Sequence, residues 1–262
     1  MDLLLGDRIA IVTGGASNIG RQVALTLAQE GANVAILDLD EAGAQRVAQE
    51  VKASGGQATG YATNIADPAM VKESVDRVVH DLGKIDILAN VAGWMFDELF
   101  LDETLEKQEK VVGVNLWGPM NMIRAVLPHM VTSEYGRVIS VASDAGRMGE
   151  YKEAVYSACK AGVIALSKAL AREVGRYNIT LNCVCPGLTI PEAPETISAG
   201  SFWHENLDFW TDERQQKATR AYPLRRLGKP DDVANMVAWL ASDRCSYVTG
   251  QTVSVSGGYT MM

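Results

Sequence analysis

Short runs of apolar and β-branched residues recur at 9–12, 33–37, 58–62, 85–89, 137–141, 180–184 and 252–255. Segments of helical composition lie between the first six, at 22–29, 42–53, 71–82, 108–130 and 155–174. A further helical segment, 231–241, precedes the last run. Nearly continuous apolar strands alternating with helices predict an α/β fold: a doubly wound parallel sheet with both faces covered, hence three layers, α/β/α. One interval breaks the rhythm. Residues 187–227 are too many for a simple loop and are expected to form a lid.

The chain has 262 residues, enough for one large α/β domain over 1–262. A net charge of −8 without a basic cluster excludes nucleic acid as a natural partner. No apolar run approaches the ~18 residues of a membrane span, so no membrane is expected. The first eight residues lack the basic and long apolar regions of a signal peptide, and a cytoplasmic location follows. The cysteines at 159, 183, 185 and 245 form no CxxC pair, which argues against a metal site or a disulfide framework.

Candidate chemistry begins at Tyr156-Ser157-Ala158-Cys159-Lys160. Four residues apart on a helix, Tyr156 and Lys160 share a face. A free phenol titrates near pH ~10, and a neighbouring cation favours its ionised form. Lys160, with the positive ring of an oxidised nicotinamide, is expected to lower the Tyr156 pKa by roughly three units and make it a base near neutrality. The alternative is a helix with one buried aromatic and one solvated lysine.

The first strand runs into Thr13-Gly14-Gly15-Ala16-Ser17-Asn18-Ile19-Gly20 and then a helix. Glycines there let the backbone approach a pyrophosphate, and the helix N-terminus offers free N–H groups to it. Asp38 ends the second strand, followed by Leu39. Its carboxylate suits the two adenosine ribose hydroxyls and repels a 2′-phosphate. Residues 14–20 contain no Arg or Lys, so NAD is expected over NADP. Asp38 also fits the N-cap of the next helix. Asn90-Val91-Ala92-Gly93 ends the fourth strand, where small residues suit a wall beside a cofactor or simply a tight turn.

Asn115 is an amide inside an apolar helical segment, and it needs partners. Pro119 has no N–H, so the Asn115 carbonyl loses its i+4 donor. A kink is expected, made either for packing or to anchor a water linking Lys160 to solvent. Ser143 lies just past the fifth strand and suits either a substrate oxygen beside Tyr156 or a turn cap. Ser140, three earlier, faces the other way.

Taken together, these motifs resemble the short-chain dehydrogenase/reductase family over essentially the whole chain. The residues that carry the resemblance are 13–20, Asp38, Asn90 to Gly93, Asn115, Ser143, Tyr156 with Lys160, Pro186-Gly187 and Ser256-Gly257-Gly258. It implies a Rossmann-like sheet of seven parallel strands, a nicotinamide cofactor and usually a homotetramer. It also implies Tyr156 as catalytic base, Lys160 tuning it and holding the nicotinamide ribose, Ser143 orienting substrate, and Asn115 supporting a proton relay. The family's middle turn glycine is Asn18 here, and Asn tolerates left-handed backbone better than most residues. Its second motif Asn is Val91. Asn64, before Ile65, stands where an acid usually meets the adenine amine. Thr189, after Pro186-Gly187, is the candidate for the nicotinamide carboxamide.

Trp94, Met95, Met148, Tyr151, Phe202 and Trp203 occupy the substrate-side segments. They imply a hydrophobic ring-sized substrate, unless they only glue the lid or an interface together. The acid-rich first part of the lid disfavours an anionic thioester. The expected activity is therefore NAD-linked oxidation or reduction of a hydrophobic alicyclic or aryl secondary alcohol or ketone, with likeness to the branch acting on alicyclic alcohols. The alternatives are a hydroxyacyl-CoA dehydrogenase or 3-oxoacyl thioester reductase, and a non-catalytic NAD(H)-binding sensor.

Overall fold

The structure is a computed structural model that describes residues 2–191, 196–198, 201, 203–204 and 211–262. Its centre is a parallel sheet of seven strands: β1 Ile9–Thr13, β2 Asn33–Asp38, β3 Gln57–Ala62, β4 Ile87–Asn90, β5 Gly136–Val141, β6 Ile179–Pro186 and β7 Thr252–Val255. The spatial order is β3-β2-β1-β4-β5-β6-β7. Every pairing is parallel, with Val12 level with Ile36 on one side and Ala89 on the other.

Alternation within each strand feeds two cores. Ala10, Val12, Val34 and Ile36 pack under helices α1 Asn18–Gln29, α2 Glu41–Ala53 and, late in the chain, Pro230–Ala241. Ile9, Ile11, Ala35 and Leu37 pack under α3 Pro68–Leu82 and two later helices, Gly118–Ser133 and Ala154–Val174. Both faces being covered is why these strands read as apolar throughout rather than alternating.

The segment expected as one helix over 108–130 is three pieces. Helix α4 Leu105–Val112 leads into a π-turn, Gly113–Trp117, and then α5 Gly118–Ser133. Pro119 explains the break: without its N–H the α-helical ladder cannot continue, and the chain widens by one residue instead. After β5 come a short α6 Ala145–Met148 and the long α7 Ala154–Val174. The helix Ala154–Tyr177 has the length and apolarity to cross a membrane. Here it packs on β6 and against α4 and α6, as a core helix does.

Strand order reverses between β1 and β4. Ligands bind in such sheets at the carboxyl ends of the strands flanking that point. Residues 13–20 and 90–93 both lie there. The interval 187–227 closes on itself through a bridge between Thr189 and Gly228, reinforced by Ile190 N–H to the Gly228 carbonyl at 3.1 Å. Helix α8 Asp212–Ala218 lies within it, and α9 Pro230–Ala241 follows. Phe202 lies outside the described residues, as do Glu192, Glu195, Glu205 and Asp208.

Candidate active site

The turn after β1 leaves no room for side chains. A Cβ on Gly20 would lie 1.9 Å from the Gly14 carbonyl oxygen, and one on Gly14 would lie 2.6 Å from Ala92 Cα. Gly14 has φ +67°, and Asn18 takes the left-handed conformation with φ +47°, as expected for the residue replacing glycine. Thr13 joins the two loops: its Oγ1 accepts from Val91 N at 3.1 Å and from Ala92 N at 3.2 Å. At the start of α1, the Ser17 side chain makes no capping bond. The first N–H groups of that helix therefore remain free for an anion. Ile19 is half-buried against the core below.

Asp38 reaches back to this turn, accepting from Ala16 N at 3.0 Å and, through its other oxygen, from Asp40 N at 2.9 Å. Burial pushes its carboxyl up while these N–H groups pull against it. It does not cap α2; Asp40 does, accepting from Gly43 N. The cap stands two residues later because the chain turns once more before the helix starts. Leu39 is exposed. One cation was not visible in residues 14–20: Arg46 of α2 donates to the Ala16 carbonyl at 3.1 Å, with Glu50 4.0 Å away.

Asn64 forms a local turn, its Oδ1 accepting from Ala66 N at 3.0 Å. Ile65 is expected among the cofactor-binding residues together with Asn64. The side chain is buried against α5, where a Cβ on Gly118 would meet Ile65 Cδ1 at 2.4 Å. At the end of β4, both side-chain polar atoms of Asn90 are buried without a hydrogen-bond partner, and so is Asn18 Oδ1. Buried amides without partners are rare in finished cores. Together with the glycine cradle, the uncapped helix and the acid on β2, they fit a dinucleotide at the β1/β4 switch.

The reactive cluster lies beyond β5 and on α7. The Ser143 hydroxyl lies close enough to Tyr156 to favour the ionised phenol, and Ser143 Oγ accepts from Ala145 N at 3.1 Å. The turn role weighed for Ser143 is thus filled. Lys160 is 3% exposed and donates from Nζ to the Val141 carbonyl at 2.9 Å. The same Nζ lies 5.4 Å from the Tyr156 ring centroid. Burial lowers the lysine to about 8.

The lowering expected of Tyr156 draws on the nicotinamide ring as well as on Lys160. In the protein by itself Tyr156 is raised: burial is the main cause and the Glu153 carboxylate adds to it, while the Ser143 hydroxyl works the other way. A cation one helical turn away does not by itself overcome desolvation. Glu153, three residues before Tyr156, is itself pushed up to about 7 by burial, then by Asp97 and Glu150. Helical spacing from Tyr156 was the signal that could have singled it out.

Asn115 occupies the middle of the π-turn, fully buried. Its Nδ2 donates to the carbonyls of Trp94 at 2.6 Å and Val111 at 2.9 Å, and its Oδ1 accepts from Trp94 N at 3.3 Å. A Cβ on Gly93 would meet Asn115 Oδ1 at 3.1 Å and Lys160 Nζ at 3.6 Å. The amide therefore pins the loop after β4 beside the lysine.

Pro186 ends β6 and Gly187 N donates to the Val255 carbonyl at 3.2 Å. Thr189 is buried and gives its hydroxyl to the Gly187 carbonyl at 3.1 Å. Among the substrate-side residues, the Trp94 ring lies 3.8 Å below the ammonium of Lys110 and 5.5 Å from the Phe96 ring. Met95 is half-buried, Met148 and Tyr151 are exposed, and Trp203 is buried.

Comparison with known proteins extends this picture. A family model described as enoyl-(acyl carrier protein) reductase matches residues 14–260. The chain is 38% identical over 259 residues to a 3-oxoacyl-[acyl-carrier-protein] reductase FabG of Staphylococcus epidermidis, covering 97% of this chain and 100% of that one. It is 36% identical to the protein of the same name from Thermotoga maritima and 35% identical to that from Escherichia coli, in each case over 97% of this chain and 98% of the other. With its all-parallel seven-stranded sheet and matches over nearly its full length, the chain belongs to the short-chain dehydrogenase/reductase family and is an oxidoreductase.

Proposed function

We propose that the protein interconverts a 3-hydroxyacyl thioester and the corresponding 3-oxoacyl thioester, using NAD. The observation that carries the reaction type is the buried Lys160 on the same helix as Tyr156, its Nζ 5.4 Å from the phenol ring, with the Ser143 hydroxyl close enough to favour the ionised phenol. The substrate class draws on full-length similarity to reductases named for 3-oxoacyl-[acyl-carrier-protein]. This moves the weight from a hydrophobic alicyclic or aryl alcohol to what the sequence alone offered as the alternative.

The residues that would hold the cofactor are Gly14 and Asn18 at the diphosphate, Asp38 at the adenosine ribose, and Asn90 and Lys160 toward the nicotinamide end. When bound, the nicotinamide supplies a hydride donor or acceptor. The chain does the rest. The Ser143 and Tyr156 hydroxyls are neighbours, so a substrate oxygen placed between them would be held by both. In oxidation, Tyr156 Oη takes the alcohol proton; in reduction, it returns that proton to the carbonyl oxygen. The charge on Lys160 Nζ, in a dry site, favours the phenolate while it exists. Asn115 acts through the loop it fixes.

A second reading keeps a neutral hydrophobic alcohol as substrate. The group Asp97, Glu150 and Glu153 beside Tyr156 favours it, because like charges oppose a phosphate-bearing carrier. Absorbance assays of short 3-hydroxyacyl-CoA esters, cyclic alcohols and aryl-alkyl alcohols, each with NAD and NADP, separate the two. Turnover of the esters with NAD is expected. Turnover of the neutral alcohols alone would select the second reading, and cofactor binding without turnover of any would return the sensor. Asp38→Ala should reduce the preference for NAD over NADP about tenfold, the loss of one charged hydrogen-bonding group. An unchanged ratio would remove Asp38 from that role.

A further inference from the structure

Three residues ahead of Tyr156, Glu153 sits at the N-cap of α7 but does not cap it. It is half-buried, and among the described residues its carboxylate makes no hydrogen bond or ion pair. A carboxylate at a helix start ordinarily binds the free N–H groups there. This one is left unused beside the phenol. The groups facing it come from four elements. Asp97, from the stretch after β4, and Glu150, from the turn before α7, are both acids. From α7 itself there is Tyr156, and from the C-terminal segment Tyr259, whose hydroxyl donates to Glu150 Oε2 at 2.9 Å. Of the cations nearby, the ammonium of Lys152 lies 5.9 Å from the Tyr151 ring and favours the ionised form of Asp97, and that of Lys160 is bonded to Val141 O. The backbone holds the acids together, since Glu98 N donates to the Lys152 carbonyl at 3.2 Å, tying the stretch after β4 to the turn before α7.

We propose that Glu153 is a positioning residue that acts through Tyr156: its unpaired carboxylate opposes formation of the phenolate and so sets the pH range in which the phenol works as a base. The arrangement opposes the effect of Lys160. Lys160, its Nζ 5.4 Å from the phenol ring, and Glu153, one turn before the phenol on the same helix, act on its ionisation with opposite signs against the background of burial. As Glu153 itself takes up a proton near neutrality, its restraint on the phenol weakens toward acid pH. The kinetic consequence rests on Tyr156 being the base; the electrostatic claim does not.

The test is ultraviolet titration of phenolate absorbance without substrate. Subtracting the Tyr156→Phe protein from the parent isolates Tyr156, and the same subtraction on a Glu153→Gln background shows the effect of the charge. Glu153→Gln should lower the pH of Tyr156 ionisation by roughly one unit. Glu153→Asp, which keeps the charge, should stay near the parent and shows that a shift does not come from altered packing. An unchanged or higher midpoint in Glu153→Gln, or equal shifts in both variants, would overturn the proposal. The acid limb of the kcat/KM profile should move with the titration. A titration that shifts while the profile stands still leaves the electrostatic claim intact and removes Tyr156 as the base.

Discussion

Arg137 and Lys160 are both buried cations, 1% and 3% exposed, and the sheet treats them in opposite ways. Arg137 lies at the amino end of the strands. Its guanidinium donates to Asp243 at 2.9 Å and to the carbonyls of Gly136 and Asn178, with only Nε left over. Asp243 also takes Arg8 at 2.8 Å and the Tyr135 hydroxyl at 2.8 Å, and the Tyr135 ring lies 3.9 Å from Arg8 and 4.4 Å from Arg137. Lys160 lies toward the carboxyl end with one carbonyl and, among the described residues, no carboxylate. A buried charge with a full set of partners holds elements in register. One without them costs stability, and such a cost persists where function needs the charge. The unpaired polar atoms of Asn90, Asn18, Ser140 and Asp144 gather at strand ends and loops on the same side as Lys160.

This contrast can be broken by experiment. The largest effect is expected at the site. Tyr156→Phe should lower kcat by about a thousandfold or more, the scale of lost acid–base catalysis, with an unchanged urea midpoint. Near-normal turnover would remove the phenol from the chemistry. At the other end, Asp243→Ala should cost about 3 kcal/mol in urea unfolding, because it leaves a buried guanidinium unpaired. Its turnover at low temperature should stay close to the parent. Burial pushes the Asp243 carboxyl up, but hydrogen bonds from Tyr135 and Arg8 and the nearby Arg8 and Arg137 charges outweigh it, and the net direction is down. A depressed acid contributes stability above its unfolded value of ~3.9, and that stability is lost as pH falls through the folded value. Parent and variant should therefore converge in strong acid; parallel curves would show that the carboxylate charge is not what matters.

Lys160→Met sharpens the comparison further. Lowering the lysine from 10.5 to about 8 corresponds to roughly 3 kcal/mol against the folded state. The sign follows from linkage: the penalty is full below the folded value and vanishes above the unfolded one, so the parent gains stability as pH rises from about 8 to 10.5. Removing the charge while keeping the bulk should raise stability near neutrality by about 2 kcal/mol and flatten that slope. A loss of stability in the variant would mean that the lysine is a structural asset like Arg137.

Much of this was legible in the chain. All seven strands fall where the apolar runs are, because a doubly covered parallel strand writes its burial directly into composition. The left-handed Asn18 followed from where the glycine pattern breaks. Local period also placed Tyr156 and Lys160 on one face, and the structure brings Ser143 to the phenol. What failed was anything set by depth or by distant partners. The rise in the Tyr156 pKa comes from desolvation, which spacing does not encode. Arg46 approaches the glycine-rich turn after β1 from another helix, thirty residues beyond Ala16. Asp40 displaced Asp38 as a cap because the exact start of a helix is decided by turn geometry.

The π-turn has a consequence for how this chain tolerates length changes. A widened turn holds one residue more than an α-helical path would. Deleting a single residue among 113–117 would remove that slack while Pro119 still withholds its N–H, so the ladder stays broken and the residues of the turn change register. Asn115 would then swing away from Trp94, and the loop beside Lys160 would lose its anchor. A one-residue deletion here should therefore give a worse enzyme, whereas a deletion at the exposed, glycine-containing turn after α2, at residues 54–56, leaves the residues of the site in register.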